Sequence, residues 1–402
     1  MSRFHSYLNS ASSILQVYKG EQPFHIFLKS FFKENKKYGS RDRKIVSNLC
    51  YCYFRLGLAL QELPIADRLL AGLFLCEKNP NEFFSELHPD WNELIALRAD
   101  QKAAMLGFSL QEIFPFAEEL SNDISIHDYS ASMIIQPDLF IRVRPGYENN
   151  VKQKLQEAHV QFNQVTHSCL RLENSIQVDK TLQLNKEVVV QDYNSQRISE
   201  FLIMVENYLR SKSNITSERS PVLKIYDCCA ASGGKSILAY DYLKPIELTV
   251  SDVRRSILRN LKERLSTAGI ENYSAFVKDL TLASSKPDTQ NLAPESFDLV
   301  ICDAPCTGSG TWSRTPEQLY YFKQQKIGHY QDLQLSIVRN VAPLVKKGGF
   351  LLYITCSVFR KENEDIVNYS REEAGLELEK MEMLKGYDKK ADTLFAALLT
   401  KK

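Results

Sequence analysis

Two cysteine-bearing segments are the residues best able to do chemistry in this sequence. Cys306 lies in Asp303–Gly310, after the apolar run Leu299–Ile301, and Cys356 follows the apolar run Phe350–Ile354. A thiolate can attack an electrophilic carbon while a second group moves a proton, which divides one slow substitution into two easier steps. Taken singly, each cysteine is better explained as a small buried apolar residue. If neighbouring parallel strands deliver both, the loops meet at one sheet edge, which predicts a thiol-dependent enzyme.

A turn of small residues, Asp227–Ser236, lies between the apolar run Leu223–Tyr226 and a helical stretch. Small residues let the backbone close around a ligand, and the first turn of a helix offers free amides to a carboxylate or phosphate. Such a turn is weak evidence alone, because dehydrogenases, methyltransferases and many non-binding turns share it. The residues of this loop that we assign to cofactor binding are Cys229, Ala230, Ala231, Ser232, Gly233, Gly234 and Lys235.

Two acidic residues sharpen the prediction of a cofactor site. Asp252 follows the second apolar run, where a carboxylate can accept hydrogen bonds from both ribose hydroxyls, and Asp279 follows the third, within reach of an adenine edge. Either alone would be interpreted as a helix cap or loop carboxylate. Together they predict an adenosine site. A nucleoside triphosphatase is disfavoured because Cys229 stands where the phosphate loop needs its first glycine. A nicotinamide dehydrogenase is disfavoured because this sequence has no G-x-G-x-x-G after the first predicted strand, and because such an enzyme would have no role for the two cysteines.

The elements that must position these groups divide the chain into three predicted regions. Residues 1–130 show helical spacing, with Ser40 as a candidate N-cap; residues 131–190 suit a small α+β unit; residues 191–402 alternate strands with helices. The runs predicted as strands of the third region are Leu223–Tyr226, Leu248–Val250, Ala275–Val277, Leu299–Ile301 and Phe350–Ile354. This alternation predicts a doubly wound parallel sheet with helices on both faces.

The composition excludes several classes of protein. The 402 residues are 44% hydrophobic and 25% charged, which argues against a disordered chain. The net charge of +1 argues against a positive field over the whole chain that would bind any polyanion. No apolar stretch approaches the length of a membrane span. Nine scattered cysteines without a signal peptide predict reduced thiols in a cytoplasmic protein, and spacings such as Cys50-x-Cys52 predict core packing rather than a metal site.

A local basic patch is the candidate RNA contact. Eight basic residues stand against three acidic ones between Glu21 and Leu60, and a solvated helix face explains such a run equally well. The candidate RNA-binding residues in this patch are Lys36, Lys37, Arg41 and Arg43, with Arg142 and Arg144 as a second group.

Short segments spread along the chain form a recognisable pattern. They are Val189–Gln196, Asp227–Ser236, Asp252 with its helix Arg254–Gly269, Asp303–Gly310, Thr355–Ser357 with Glu362–Glu364, and Ala391–Phe395; Tyr38–Arg43 and Phe140–Val143 add a weaker match upstream. Together they resemble the RsmB/Nop/Sun family of S-adenosylmethionine-dependent RNA cytosine carbon-5 methyltransferases. The resemblance implies a Rossmann-like class I methyltransferase domain with a mostly parallel seven-stranded sheet, preceded by a small ferredoxin- or RRM-like unit and a NusB-like helical RNA-binding bundle.

The resemblance also implies roles for the site residues. Cys356 is expected to attack cytosine carbon 6, and Cys306 to assist proton removal and release. Asp303 is expected beside the methionine part of S-adenosylmethionine, oriented by Lys235. Ser232 departs from the family, which usually has Pro there.

The expected substrate is a single-stranded or flipped cytosine, in bacterial small-subunit ribosomal RNA by resemblance. The alternatives are a transfer RNA substrate, and a non-catalytic RNA-binding assembly factor. We expect a monomer with no metal and no membrane partner.

Overall fold

The computed structural model describes residues 3–212, 222–282 and 292–402, which divide into two compact units. One unit contains residues 1–137 and 311–324, and the other contains residues 138–310 and 325–402. The sequence predicted three contiguous domains instead. Among the described residues, no helix has the length and apolar character needed to cross a bilayer.

The first unit is helical, as predicted. Its helices are α1 (Arg3–Val17), α2 (Phe24–Glu34), α3 (Ser40–Arg55), α4 (Ile65–Cys76), α5 (Glu82–Leu87), α6 (Pro89–Glu93), α7 (Ala99–Met105), α8 (Ile126–Ser132) and α13 (Pro316–Tyr320). The apolar faces of the longer helices meet in one core rich in aromatic rings. Cys50 and Cys52 are buried in this core, as predicted. Ser40 is the first residue of α3 rather than its cap, because the Asp42 carboxylate accepts the Gly39 N–H at 3.0 Å instead.

The segment Thr311–Gln324 joins this helical unit although the chain enters it directly from the cysteine-bearing loop Asp303–Gly310. The Trp312 ring is fully buried. The Glu317 carboxylate accepts the Phe24 N–H at 3.1 Å. A segment of the third predicted region therefore completes the core of the first, which an assumption of contiguous domains could not anticipate.

The second unit contains two sheets. The smaller has the order β2-β3-β1-β4 and is antiparallel in the paired strands β1 (Leu139–Val143), β2 (Asn163–Gln164), β3 (Cys169–Leu172) and β4 (Val188–Val190), with helix α9 (Glu148–Glu157). This is the α+β element that the sequence predicted. It belongs to the same compact unit as the larger sheet. Arg142 on β1 and Arg144 directly after β1 form buried ion pairs with Asp241, which lies in the helix that follows the first strand of the larger sheet.

The larger sheet has seven strands in the order β10-β11-β9-β8-β5-β6-β7. They are β5 (Leu223–Asp227), β6 (Ile246–Asp252), β7 (Tyr273–Val277), β8 (Phe297–Asp303), β9 (Val345–Thr355), β10 (Leu376–Leu384) and β11 (Leu394–Lys401). The first five pair in parallel and contain the five predicted strands, while β11 is antiparallel to both β9 and β10. The predicted mostly parallel seven-stranded sheet is confirmed.

Helices cover this sheet. They are α10 (Tyr193–Lys212), α11 (Gly234–Leu243), α12 (Arg255–Thr267), α14 (Gln325–Val341) and α15 (Glu364–Glu372). Side chains that alternate along a strand point to opposite faces, and the neighbours Leu299 and Val300 of β8 are both fully buried. Both faces of the sheet are therefore covered, so the strand ends are the places where functional side chains can reach solvent.

Candidate functional site

The two cysteines singled out in the sequence meet at one edge of the larger sheet. Strands β8 and β9 run parallel with Asp303 opposite Ile354, so the loops that follow them are neighbours. The Cys306 and Cys356 sulfur atoms lie 3.2 Å apart, and both residues are half-buried. The hydrogen bond with Cys356, together with burial, raises the pKa of Cys306 well above its usual value. The Cys306 thiol therefore keeps its proton at neutral pH.

A buried carboxylate ties the two cysteine loops together. Glu362 is fully buried, and it accepts hydrogen bonds from the Thr307 N–H at 2.8 Å and from the Thr307 hydroxyl at 2.6 Å. It also accepts the Ser357 hydroxyl at 2.6 Å and the Gln334 amide at 3.1 Å. Thr307 and Ser357 each follow one of the cysteines, so one carboxylate sets the position of both. The sequence showed Glu362 only as part of a matching segment, without a role.

The small-residue loop after β5 is held in shape by strand β6. The Ala230 N–H donates to the Ser251 carbonyl at 2.9 Å, and the Ala231 N–H donates to the Asp252 carboxylate at 3.0 Å. Ala231 and Gly233 both adopt positive φ, 45° and 86°. A glycine tolerates that conformation at little cost. The loop is thus a rigid cradle at the start of α11.

Ser232, which departs from the family pattern, fixes this loop in a way a proline could not. The Arg264 guanidinium donates to the Ser232 carbonyl at 2.9 Å and to its hydroxyl at 2.5 Å. The same side chain donates to the Asn185 side chain at 3.0 Å, in the smaller sheet region. The serine therefore anchors the loop through a hydrogen bond, a contact that sequence reasoning missed.

The two predicted adenosine-binding carboxylates differ in their surroundings. Asp252 is buried, and burial alone would raise its pKa, but hydrogen bonds from Arg254 and Ala231 lower the pKa below its usual value. Its carboxylate is therefore ionised at the end of β6. Asp279 is exposed in the loop after β7, where it accepts the Thr281 N–H at 2.9 Å and its hydroxyl at 2.6 Å. Its local contacts are those of a turn.

A lysine and two aspartates form polar contacts at the ends of β5 and β8. Lys235 Nζ donates to the Asp303 carboxylate at 3.0 Å, the pairing that the resemblance implied, and to the Ser195 hydroxyl at 2.9 Å. Asp227 is fully buried and accepts the Ser236 hydroxyl at 2.6 Å. Burial raises the pKa of Asp227 to about 7. Its Oδ1 atom has no hydrogen-bond partner among the described residues.

The candidate RNA-binding residues divide into two groups. Four of them are exposed: Lys36 and Lys37 in the turn after α2, and Arg41 and Arg43 at the start of α3. Arg142 and Arg144 are instead 1% and 6% exposed. Both donate to the Asp241 carboxylate, Arg142 at 2.7 Å and Arg144 at 2.8 Å. Their guanidinium groups face a buried carboxylate rather than solvent, which argues against the RNA contact expected for them.

The fold and site together define a class. The sheet has seven strands, is mostly parallel and ends in an antiparallel strand. A loop of small residues follows β5 and contacts Asp252 at the end of β6. This arrangement is the class I S-adenosylmethionine-dependent methyltransferase fold. Residues 215–397 match the family described as 16S rRNA methyltransferase RsmB/F. This region of the chain is therefore similar to RNA methyltransferases of the RsmB/Nop/Sun family.

Individual relatives each match over less than half of the chain. The chain is 33% identical over 185 residues to the probable ribosomal RNA small subunit methyltransferase B of Bacillus subtilis, covering 46% of this chain and 37% of the relative. It is 32% identical over 157 residues to the mouse tRNA (cytosine(72)-C(5))-methyltransferase NSUN6, covering 37% of this chain and 32% of the relative. The matches thus span about a third of the length of these curated relatives.

A solved structure extends the likeness of fold to nearly the whole chain. The crystal structure of PH0851 aligns with a TM-score of 0.68 at 20% identity, covering 98% of this chain and 97% of the other.

Proposed function

We propose that this protein transfers a methyl group from S-adenosylmethionine to carbon 5 of a cytosine in RNA. The observation that carries the proposal is the 3.2 Å approach of the Cys306 and Cys356 sulfurs beside the Lys235–Asp303 pair. Two thiols, a cradle for an adenosine-containing cofactor and an exposed basic patch suit this reaction better than the alternative of a non-catalytic assembly factor, which would have no use for paired thiols.

The cradle residues fit S-adenosylmethionine. A Cβ placed on Gly234 would face open space among the described residues, so the backbone at the start of α11 is accessible to a ligand. The ionised Asp252 carboxylate suits ribose hydroxyls, and Asp303 suits the amino group of the methionine part. Asp279 is proposed beside the adenine edge. When bound, the cofactor supplies an electrophilic methyl group on a sulfonium.

The reaction has two difficult steps, activation of carbon 5 and removal of its proton, and each thiol has a role in one of them. Cytosine carbon 5 is a poor nucleophile, and the Cys356 thiolate overcomes this by bonding to carbon 6, which makes carbon 5 an enamine carbon able to take the methyl. The product must then lose the carbon-5 proton as the carbon 6–sulfur bond breaks and returns its electrons to Cys356. Cys306 is proposed to assist that proton removal and release, directly or through water.

The local chemistry supports the release part of this role, because a thiol that keeps its proton can return that proton to the leaving Cys356 sulfur. The Cys306 thiol holds its proton because its hydrogen bond to Cys356 and its burial raise its pKa. A protonated Cys306 can donate a hydrogen bond to the Cys356 sulfur, which lies 3.2 Å away. Asp303, which pairs with Lys235, is proposed to hydrogen-bond the pyrimidine edge and so favour the electron-rich intermediate.

The basic patch of the helical unit is the proposed RNA contact. Lys36, Lys37, Arg41 and Arg43 are exposed and would hold phosphates without reading sequence. We propose small-subunit ribosomal RNA as the substrate, since the 33%-identical relative carries that name, with transfer RNA as the second candidate because of the NSUN6 relative. We further propose action in the cytoplasm, where reducing conditions keep cysteines such as Cys306 and Cys356 as thiols.

Bisulfite sequencing of total RNA tests the proposal. Cells with and without the gene are compared, and the deletion strain is complemented with the wild-type chain or with the Cys356→Ala variant. The proposal expects one or a few cytosines that lose methylation on deletion and regain it only with the wild-type gene; their place in ribosomal or transfer RNA names the substrate. An unchanged methylation map, with no methyl transfer by purified protein to total RNA from the deletion strain, overturns it.

A further inference from the structure

Three thiols come together where the cradle loop meets strand β8, and two of them, Cys228 and Cys229, belong to that loop. The sulfur atoms of Cys228, Cys229 and Cys302 all lie within 4.8 Å of one another. Cys228 and Cys302 are 1% and 0% exposed, while Cys229 is half-exposed. The reaction proposed above uses none of these sulfurs.

The adjacent parallel strands β5 and β8 build this cluster. Asp227 lies opposite Ile301, and the Cys228 N–H donates to the Ile301 carbonyl at 2.9 Å, so Cys228 and Cys302 are the next residues along two paired strands. The Cys228 carbonyl also accepts the Ser251 hydroxyl at 3.1 Å. The backbone thus fixes the thiols before any ligand arrives, and their wide separation in sequence explains why no spacing motif revealed them.

The geometry points to a binding site for one thiophilic d10 metal ion, Cu(I) or Zn(II), held by the sulfurs of Cys228, Cys229 and Cys302; this is our proposal. A metal about 2.3 Å from each of three sulfurs in a plane separates the sulfurs by about 4 Å. The three sulfur atoms lie within 4.8 Å of one another, so they need to move together only slightly to bind a metal ion. Thiolate sulfur is the donor that selects such ions.

Two carboxyl groups adjoin the cluster. Asp227 precedes Cys228 in the chain and Asp303 follows Cys302, so acidic residues flank two of the three cysteines. Binding replaces thiol protons, which leave to solvent through the half-exposed Cys229.

Metal titration of the full-length, reduced protein under anaerobic conditions tests the site. The parent carries Cys306→Ala and Cys356→Ala, so that the other close thiol pair cannot compete. One arm offers Cu(I) against a coloured Cu(I) chelator, and the other offers Zn(II) against a coloured Zn(II) chelator. The test variant adds Cys228→Ala and Cys302→Val, and the matched control instead adds Cys52→Ala and Cys76→Ala, a second interacting pair of thiols in the helical unit.

The proposal expects the parent and the matched control to take one metal ion per chain from the chelator in at least one arm, and the test variant to lose it. The arm that binds names the metal. A parent that takes none in either arm overturns the proposal, and so does a test variant that binds like the control.

Alkylation of the cysteines in the parent provides a second test, which does not depend on whether the test variant folds. Mass spectrometry of the parent is expected to show that metal protects Cys229 from iodoacetamide; unchanged labelling of Cys229 at saturating metal overturns the proposal. Neither measurement needs S-adenosylmethionine or RNA, so the outcome is independent of the proposed methyl transfer.

Discussion

The Glu362 carboxylate receives two hydrogen bonds from Thr307, one from its backbone N–H at 2.8 Å and one from its hydroxyl at 2.6 Å. A third, from the Ser357 hydroxyl, reaches the same carboxylate from the other cysteine loop. Because Glu362 holds both cysteine loops through these hydrogen bonds, the spacing of Cys306 and Cys356 depends on Glu362, although its carboxylate contacts neither sulfur. Glu362 is therefore a positioning residue.

Replacing Glu362 by Gln should separate positioning from simple stability. An amide presents one acceptor oxygen and turns an NH2 group toward donors, so at least one buried donor loses its partner at a cost of about 1–3 kcal/mol in the free energy of unfolding. We expect kcat to fall, S-adenosylmethionine affinity to persist, and the pH profile of covalent RNA capture to shift as the thiols move apart.

The matched control for that variant is Glu372→Gln, which neutralises an exposed carboxylate at the end of helix α15, the helix that follows Glu362 in the chain. It should resemble the wild type in urea unfolding and in turnover. If Glu362→Gln loses stability but keeps kcat and the wild-type pH profile, Glu362 has a structural role only.

Replacing Cys356 by Ala should abolish both methyl transfer and covalent capture of RNA containing 5-fluorocytosine. The fluorine cannot leave as a proton does, so a wild-type enzyme that bonds to carbon 6 through sulfur stays attached to such RNA. Transfer of labelled methyl groups and a shifted band on a denaturing gel measure the two effects. The control Cys76→Ala removes a half-buried thiol of the helical unit and should behave like the wild type. Normal turnover by Cys356→Ala would refute the assignment of the nucleophile.

Replacing Cys306 by Ala should instead trap the enzyme on ordinary RNA. Attack by Cys356 and methyl transfer remain possible, while proton removal and release slow down, so a protein–RNA adduct should accumulate without any fluorinated base. The adduct is seen on a denaturing gel and should need S-adenosylmethionine to reach its full amount. Turnover at the wild-type rate with no adduct would remove Cys306 from the release step.

The part of the site that could be predicted from the sequence is the part that depends on recognising strands from their apolar runs. The runs before Cys306 and Cys356 are compact and apolar, and because parallel strands end at one edge, the meeting of the two thiols follows from recognising the strands. The burial of Arg142 was not predictable, since its partner Asp241 lies 99 residues further on. The same limit hid Glu362 and the cluster around Cys302, because each depends on which loops and strands become neighbours.

Removing the exposed basic patch should weaken RNA binding and its dependence on salt. A variant with Ala at Lys36, Lys37, Arg41 and Arg43 is expected to bind RNA less tightly, and each phosphate contact that is lost should reduce the slope of log affinity against log salt by about 0.7. Fluorescence anisotropy at several salt concentrations measures both. The control variant, with Ala at the exposed Lys19 and Lys78 of the same unit, should keep the wild-type slope. A patch variant with an unchanged slope would leave the solvated helix face as the better explanation of these charges.

The buried Asp227 carboxyl should make folding stability fall as the pH rises toward neutrality. Burial raises its pKa from 3.8 to about 7 in the folded state, so the folded protein holds a proton that the unfolded chain has already lost. The stabilisation by this group is complete below about pH 4 and disappears as the pH rises through 7, a change of roughly 4 kcal/mol at most. The Asp227→Asn variant has no such proton, while its amide oxygen can still accept the Ser236 hydroxyl. Urea unfolding between pH 4 and 8, without cofactor, should therefore show the stability of the wild type relative to Asp227→Asn decreasing with pH; a constant difference would mean that the Asp227 carboxyl titrates at its usual pKa.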